Sequence, residues 1–385
     1  MIYDYKLVGT RVVILSISLM MLASFASCKG GQASVSEKMG KEVPIKYAEN
    51  LSVVEHEGFT EVKVRNPWDT AKLLQKYILV PTEQELPANL PEGTVVRTPV
   101  SNALVYSTVH NSLISEIGGI DAIGGVCNAE YVNEGEVKER LRSGRIADCG
   151  VSMSPDIEKI IKLHPQVIML SPFENNDKYA KVGELGIPII ECADYMETSA
   201  LGRAEWVKFY GLLFGKADVA EKMFGDVEEK YNALKEMASK VAKRPKVLID
   251  QRYGQVWNVP GGESTMAGLI RDARGINPFD AYKQSGSVPL APEKVLAEAY
   301  DADIWFVRYN QDNEKTLKEL ASDAPVNSQF KAYKEGNVYG CNTRYIDFYE
   351  ETPFHPERLL ENLIYYMHPE MRGDALTHSY YTQMR

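Results

Sequence analysis

The chain has 385 residues, 44% of them hydrophobic and 25% charged, and carries a formal net charge of −10. That length exceeds what one hydrophobic core usually organises, so two lobes are expected. The composition is ordinary for a soluble globular protein, and the acidic balance speaks against a nucleic-acid partner, because phosphate binding needs a basic footprint.

At the N terminus, Lys6 and Arg11 precede an apolar run, "VVILSISLMMLASFA", Val12 to Ala26, which ends in small residues before Cys28. A charged start, a short apolar stretch and a small-residue cleavage site read as an export signal. The run is too short for a comfortable membrane span, and no other segment approaches eighteen apolar residues. "FASC" resembles the bacterial lipobox, with Phe25 where leucine is usual, which implies lipidation of Cys28 as the mature N terminus. Residues 28–44 are polar and lack an apolar period, so they read as a flexible tether.

"IKYAENLSVVEHEGFTEVKVRN" alternates apolar and polar residues about Glu57-Gly58, the pattern of a β-hairpin. "KYILVP" adds a strand, and the proline-rich "PTEQELPANLPEG" is a loop. From Val95 strands and helices alternate: "VVRTPV", then the helix "STVHNSLISEIGG", then the strand "AIGGVC". The helix "PDIEKIIKLH", with proline in its first turn, leads to the strand "QVIMLSP", the helix "NDKYAKVGELG" and the strand "IPIIECAD". Continuous apolar strands between helices predict a parallel sheet covered on both faces.

A helical tract runs from Leu201 to Lys243, interrupted near "FGKAD". Apolar residues at Ala220, Phe224, Val227, Tyr231, Leu234, Ala238 and Val241 keep a spacing of three and four. Beyond Arg244-Pro245 the alternation restarts. "KVLIDQRYGQVWNVPG" is a strand or hairpin, "STMAGLIRDARG" and "APEKVLAEAY" are helices, "DIWFVRYN" a strand, "EKTLKELAS" a helix, "NVYGCN" a strand and "HPERLLENLIYYMHP" the closing helix. "SPDIEKIIKLHPQVIML" and "LAPEKVLAEAYDADIWFV" thus repeat one helix-then-strand unit in two α/β halves.

Cys127, Cys149, Cys192 and Cys341 could form two disulfides in an oxidising compartment. Cys127–Cys149 is the preferred pair because its loop is short, with free buried thiols as the alternative. No CxxC spacing suggests zinc, and the nucleophile-elbow, zincin, P-loop and dinucleotide motifs are all missing.

Two α/β lobes, one long connecting helix and a lipid anchor together resemble the solute-binding proteins of ABC importers for ferric siderophores, haem and cobalamin. The resemblance is carried by "DCGVSMSPDIEKIIKLHPQVIML", "GSVPLAPEKVLAEAYDADIWFV", "GRAEWVKFYGLLFGKADVAEKMFGDVEEKYNALK" and "VWNVPGGESTMAGLIRDARG", over most of Val95 to Pro369. It implies an α/β fold of two Rossmann-like lobes joined by a single long helix, with a ligand cleft between them and, here, an added N-terminal β-hairpin extension. The expected bounds are 1–27 for the signal, 28–44 for the tether, 45–200 for the first lobe with its extension, 201–243 for the helical linker and 244–385 for the second lobe. The resemblance also implies that Glu158 and Glu293, one per lobe, dock to arginines of the permease. A carboxylate in the first turn of a helix is also explained by the helix dipole alone, at about 0.3–1 kcal/mol.

A cleft at the carboxyl ends of parallel strands nominates Ser107, Thr108, His110, Tyr131 and Phe173 in the first half. In the second it nominates Arg252, Trp257, Arg308, Tyr309, Arg344, Tyr345 and Tyr349. Aromatic rings offer flat area for a macrocycle, arginines suit carboxylates and catecholates, and His110 or a tyrosinate could be an axial ligand to haem. The expected cargo is a ferric siderophore, haem or cobalamin; the expected partners are an ABC permease with its ATPase and, through the anchor, a membrane; a monomer with no cofactor of its own is expected. A receptor for bare Zn²⁺ or Mn²⁺ is the alternative, disfavoured by six histidines without paired spacing, and a cell-envelope enzyme on a similar fold is a third reading.

Overall fold

A computed structural model of the chain describes residues 40–174, 179–371 and 376–385. The export signal, Cys28 and residues 28–39 of the tether lie outside them. The extension is a five-stranded sheet rather than a lone hairpin, in the order β1 (Lys41–Val43), β2 (Leu51–His56), β3 (Phe59–Arg65), β4 (Leu73–Pro81) and β5 (Thr94–Thr98). Its hairpin turns at Glu57-Gly58, with His56 opposite Phe59. Gly58 has φ of 89°, which a two-residue turn needs and glycine adopts freely. β5 pairs in parallel with β4 over five positions and so completes this sheet instead of opening the first lobe. The lobe opens on a strand of only three residues, Ala103–Val105, too short to show a period.

Two buried carboxylates fasten the extension. Glu205 accepts hydrogen bonds from the consecutive backbone amides of Lys46, Tyr47 and Ala48 at 2.7–3.0 Å. Glu197 accepts from the amides of Glu49 and Asn50 and from Trp206 Nε1, each at 2.9 Å. Successive amides converging on one carboxylate make a preformed anion nest, which explains how Glu205 can be wholly buried. Glu205→Gln turns one acceptor oxygen into a donor facing these amides, and is expected to cost about 2 kcal/mol, read by urea unfolding. The Tyr77 hydroxyl ties the sheet to the first lobe, donating to Ile189 O at 3.1 Å and accepting from Glu191 N at 2.7 Å.

The first lobe contains β6 (Ala103–Val105), α1 (Thr108–Glu116), β7 (Ile123–Val126), α2 (Gly135–Arg142) and β8 (Ala147–Asp148). A short ribbon of β9 (Gly150–Val151) and β10 (Ser154–Pro155) then leads to α3 (Ile157–Leu163), β11 (Val167–Leu170), α4 (Ala180–Gly183) and β12 (Ile189–Glu191). The sheet order is β12-β11-β6-β7-β8, parallel throughout. Every residue of β11 is buried, as its apolar run requires. Pro155 lies in β10 rather than in the helix, and the Asp156 side chain caps α3 by accepting from Lys159 N at 3.0 Å. α2 escapes sequence reading because it buries a single residue, Val137.

The connection is three helices, α5 (Ala200–Glu205), α6 (Val207–Leu213) and α7 (Ala217–Ser239). Gly215, at φ 64°, makes the expected break before α7. The 23 residues of α7 span about 34 Å, burying Ala220, Phe224, Val227, Tyr231 and Ala238 along one face. α7 touches both neighbours: Glu228 pairs with Lys46 and Tyr47 of the extension, and the Tyr231 hydroxyl donates to Asp272 Oδ2 at 2.7 Å.

The second lobe comprises β13 (Val247–Ile249), β14 (Trp257–Pro260), α8 (Thr265–Asp272), β15 (Ser287–Leu290), α9 (Pro292–Ala299) and β16 (Ile304–Tyr309). It continues with α10 (Leu317–Asp323), α11 (Lys331–Lys334), β17 (Val338–Asn342), α12 (Phe348–Glu351), α13 (Pro356–Met367) and β18 (Thr382–Gln383). β13, β16 and β17 are parallel and β18 closes the edge antiparallel. β14 and β15 pair as an antiparallel ribbon. Each lobe therefore uses one device: a ribbon, a helix with glutamate at its second position, then a buried parallel strand.

The Cys127–Cys149 disulfide is not present. Both are free buried thiols, as are Cys192 and Cys341, and Cys127 Sγ points at the carbonyl oxygen of Cys149 at 4.0 Å. The two cysteines end adjacent parallel strands and pack in an apolar cluster with Tyr106 and Ile160, where a thiol serves as a small hydrophobic side chain. Among the described residues no helix is long and apolar enough to cross a membrane.

Candidate functional site

A cleft of about 950 Å³ opens at the carboxyl ends of the parallel strands, with walls from both lobes. The chain leaving β6 supplies Tyr106, Ser107 and Thr108; that leaving β7 supplies Asn128, Glu130 and Tyr131; that leaving β11 supplies Ser171 and Phe173. From the second lobe come Asn310 after β16, Thr343, Arg344 and Tyr345 after β17, and Tyr349 and Glu350 on α12. Tyr131 and Tyr345 are 64% and 63% exposed, so both lobes present an aromatic rim to a ligand. Arg344 holds Asp312 at 2.9 Å while staying half exposed, and Thr108 Oγ1 donates across the cleft to Glu350 Oε1 at 2.9 Å.

Of the residues the sequence nominates, Ser107, Thr108, Tyr131, Phe173, Arg344, Tyr345 and Tyr349 line this cleft. The other five do not. His110 follows Thr108 by two residues, about 200° around a helix of 3.6 residues per turn, and is buried on the far side of α1. Its Nε2 lies 2.9 Å from Asp194 Oδ1, so the structure closes it off from any cargo. Trp257 points from β14 into the core, stacking on Trp305 at 5.6 Å and donating from Nε1 to Ile249 O. Tyr309 is buried with its hydroxyl donating to Glu314 Oε2 at 2.5 Å, and Asn310, one residue on, takes the place in the cleft. Arg308 forms a bidentate pair with Asp250 and lies over the rings of Phe348 and Tyr349 at 5.1 and 5.4 Å. Arg252 donates to the carbonyls of Gly254 and Asp323, away from the cleft.

Sequence reasoning misses Tyr106, Lys138, Met153 and Tyr179. Lys138 lies on the unrecognised α2, and Met153 sits in the β9–β10 turn. The Tyr106 hydroxyl is buried on the cleft wall without a hydrogen-bond partner among the described residues, and burial holds it protonated far above the usual phenol range. Tyr179 stacks on Phe173 at 5.9 Å and donates to Ser171 O.

Behind the cleft, Asp194 is a buried junction. It accepts from Tyr210 Oη at 2.9 Å and from Arg203 Nε at 3.1 Å, besides facing His110. Burial opposes charge on both His110 and Asp194. Cys192 and Asp194 raise the imidazole's pKa against that burial, and His110 and Arg203 lower the carboxyl's.

A second histidine bridges α1 to the start of α13. His355 Nε2 is 2.8 Å from Glu116 Oε1 and Nδ1 is 3.0 Å from Glu357 Oε1. Burial would lower its pKa, but the two carboxylates raise it to about 9 from 6.5. A folded-state pKa above the unfolded one stabilises fully below the unfolded value and is lost as pH rises through the folded value. The stability difference between wild type and His355→Gln should be largest below pH 6.5 and shrink as pH passes about 9, by roughly 3 kcal/mol at most. Urea unfolding of both proteins across that interval is the check; a constant difference means the bridge is not charged.

The model of the family described as "Periplasmic binding protein" matches residues 106–345, from the first cleft residues to the far rim, beginning after the five-stranded extension. An uncharacterized lipoprotein of Methanocaldococcus jannaschii is 28% identical over 368 residues, covering 89% of this chain and 86% of that protein. Among solved structures, a periplasmic heme-binding protein from Pseudomonas aeruginosa superposes with a TM-score of 0.56 at 15% identity, over 74% of this chain and 98% of that one. An Fe³⁺-hydroxamate transport system protein from Saccharomonospora viridis does so with a TM-score of 0.55 at 16% identity, over 70% and 94%. At these identities the two structures share the two-lobed fold.

Proposed function

The chain belongs to the periplasmic binding protein family, and from that premise we propose that it is the lipid-anchored solute-binding component of an ABC importer, capturing a metal chelate and handing it to the permease. The observation that carries this reading is the cleft of about 950 Å³ between lobes, rimmed by Tyr131, Phe173, Tyr345 and Tyr349. Its volume is at the upper end for small-molecule sites, roughly 300–1,000 Å³. Flat aromatic area suits a macrocycle or catecholate, and Lys138 and Arg344 supply positive charge for an anionic shell.

The chemistry of the lining favours a cargo that brings its own ligands. His110 is enclosed, and among the described residues no group of three or more His, Cys, Asp or Glu side chains could hold a metal ion. A metal already wrapped by its chelator therefore fits better than bare Zn²⁺ or Mn²⁺. The heme and Fe³⁺-hydroxamate neighbours are consistent with that class.

The test is co-elution of colour with the full chain after incubation with a ferric hydroxamate, a ferric catecholate, haem or cobalamin. One of these should be retained, and Tyr131→Ala should weaken it about tenfold, the 1–1.5 kcal/mol of an aromatic contact. Retention of none of them, with stoichiometric zinc or manganese on metal analysis, would overturn the reading.

Docking is assigned to Glu158 and Glu293. Both occupy the second position of their helices, α3 and α9, and both are exposed. Neither has an ion-pair or hydrogen-bond partner among the described residues. Each helix runs back antiparallel to the strand it feeds, so its N terminus lies at the level of that strand's carboxyl end, the side on which the cleft opens. Two like charges on lobes of like construction suit a partner with two equivalent basic pockets.

A further inference from the structure

A second cavity, of about 310 Å³, lies behind the cleft and shares Tyr349 with it as a common wall. Val109 on α1 and Arg203 on α5 line one part of it, and Met266 on α8, Phe348 on α12 and Leu359 on α13 line the other. A molecule bound there would touch both lobes at once. The proposed cargo, held in the main cleft, makes no use of this cavity.

Its chemistry is one-sided. Apolar side chains form most of the surface, and the two charged side chains in the lining are both arginines, Arg203 and Arg308. The two threonine hydroxyls are already donating, Thr265 to Glu197 O at 3.1 Å and Thr352 to Phe348 O at 2.7 Å, which leaves the Tyr349 hydroxyl as a further polar group in the lining. Arg203 uses Nε for Asp194, while Arg308 uses Nε and Nη2 for Asp250. Both Nη groups of Arg203 and Nη1 of Arg308 are left without a partner among the described residues. Asp194 is shared between Arg203 and His110, so Arg203 does not hold that carboxylate alone.

Guanidinium donors left unpartnered in a largely apolar pocket suit an anion with an apolar body. The planar fork of arginine matches a carboxylate, and the volume sits at the small end for ligand sites, about 300 Å³. We propose that this cavity is a second ligand site, taking a small aromatic or aliphatic monocarboxylate whose carboxylate binds Arg203 and Arg308 and whose body lies against Met266, Phe348 and Leu359. It is independent of the cargo held in the main cleft.

The probe is 4-fluorobenzoate, titrated against the full chain and followed by ¹⁹F NMR, with 4-fluorobenzamide as its neutral isostere. The acid should bind saturably and the amide at least tenfold more weakly. Arg203→Gln and, separately, Met266→Trp, which fills the cavity and leaves the Asp194 pairs intact, should each weaken the acid at least tenfold. Equal binding of acid and amide, no binding of the acid, or binding that survives both substitutions would overturn the assignment. Should Arg203→Gln fail to fold, Met266→Trp and the acid–amide comparison on wild type still decide it.

Discussion

Asp194→Asn is expected to cost about 3–5 kcal/mol, the loss typical of removing one partner from a buried ion pair. The side chain is 1% exposed and holds three groups at once: His110, Tyr210 and Arg203. An asparagine there is neutral, so His110 loses the carboxylate that favours its charged form, and Arg203 loses the carboxylate it holds among the described residues. These groups sit on α1, on the turn after β12 and on α5 and α6, so the damage falls where the first lobe meets the connecting helices. Urea unfolding reads the effect directly, and a loss under about 1 kcal/mol would show that the junction is not ionic. His110→Phe combined with Asp194→Leu should cost less than the two single changes added, because an apolar pair of similar volume can replace a buried ionic one.

Glu158→Ala with Glu293→Ala is expected to lower permease-stimulated ATP turnover at least tenfold while leaving chelate affinity within about twofold. A tenfold loss corresponds to about 1.4 kcal/mol, well inside the 2–5 kcal/mol that truncating one partner of a buried interfacial charge pair costs. Both carboxylates are exposed and make no bond within the described chain, so folding should lose no more than the helix-dipole contribution, about 0.3–1 kcal/mol each. Each single substitution should give a partial loss, because one lobe still docks. Unchanged turnover in the double variant would remove these glutamates from the interface.

The features visible in the chain's letters are the ones encoded in short-range periods. The doubled helix-then-strand unit is one: β11 and the first four residues of β16 are continuous apolar runs, and α3 and α9 carry their glutamates at the same helical position. The three-and-four spacing of α7 and the Glu57-Gly58 turn are others, since side-chain direction on a helix and the φ of a turn glycine are local properties. Aromatic residues just beyond strand ends, Tyr131, Phe173 and Tyr345, were legible for the same reason, because a parallel strand's carboxyl end opens toward the cleft.

Whatever depended on contacts between distant segments was decided by the tertiary structure alone. Thr94–Thr98 pairs with β4 and not with the lobe it precedes, and no pattern within five residues announces its neighbour. His110 and Arg308 have the residue types of ligands, yet each meets an aspartate from a segment more than fifty positions away, Asp194 and Asp250. Cys127 and Cys149 sit side by side as thiols because β7 and β8 end together in an apolar cluster, a proximity that does not require a bond. The pocket behind Tyr349 is the extreme case: its walls come from segments separated by most of the chain, and only their packing brings two arginines to one space.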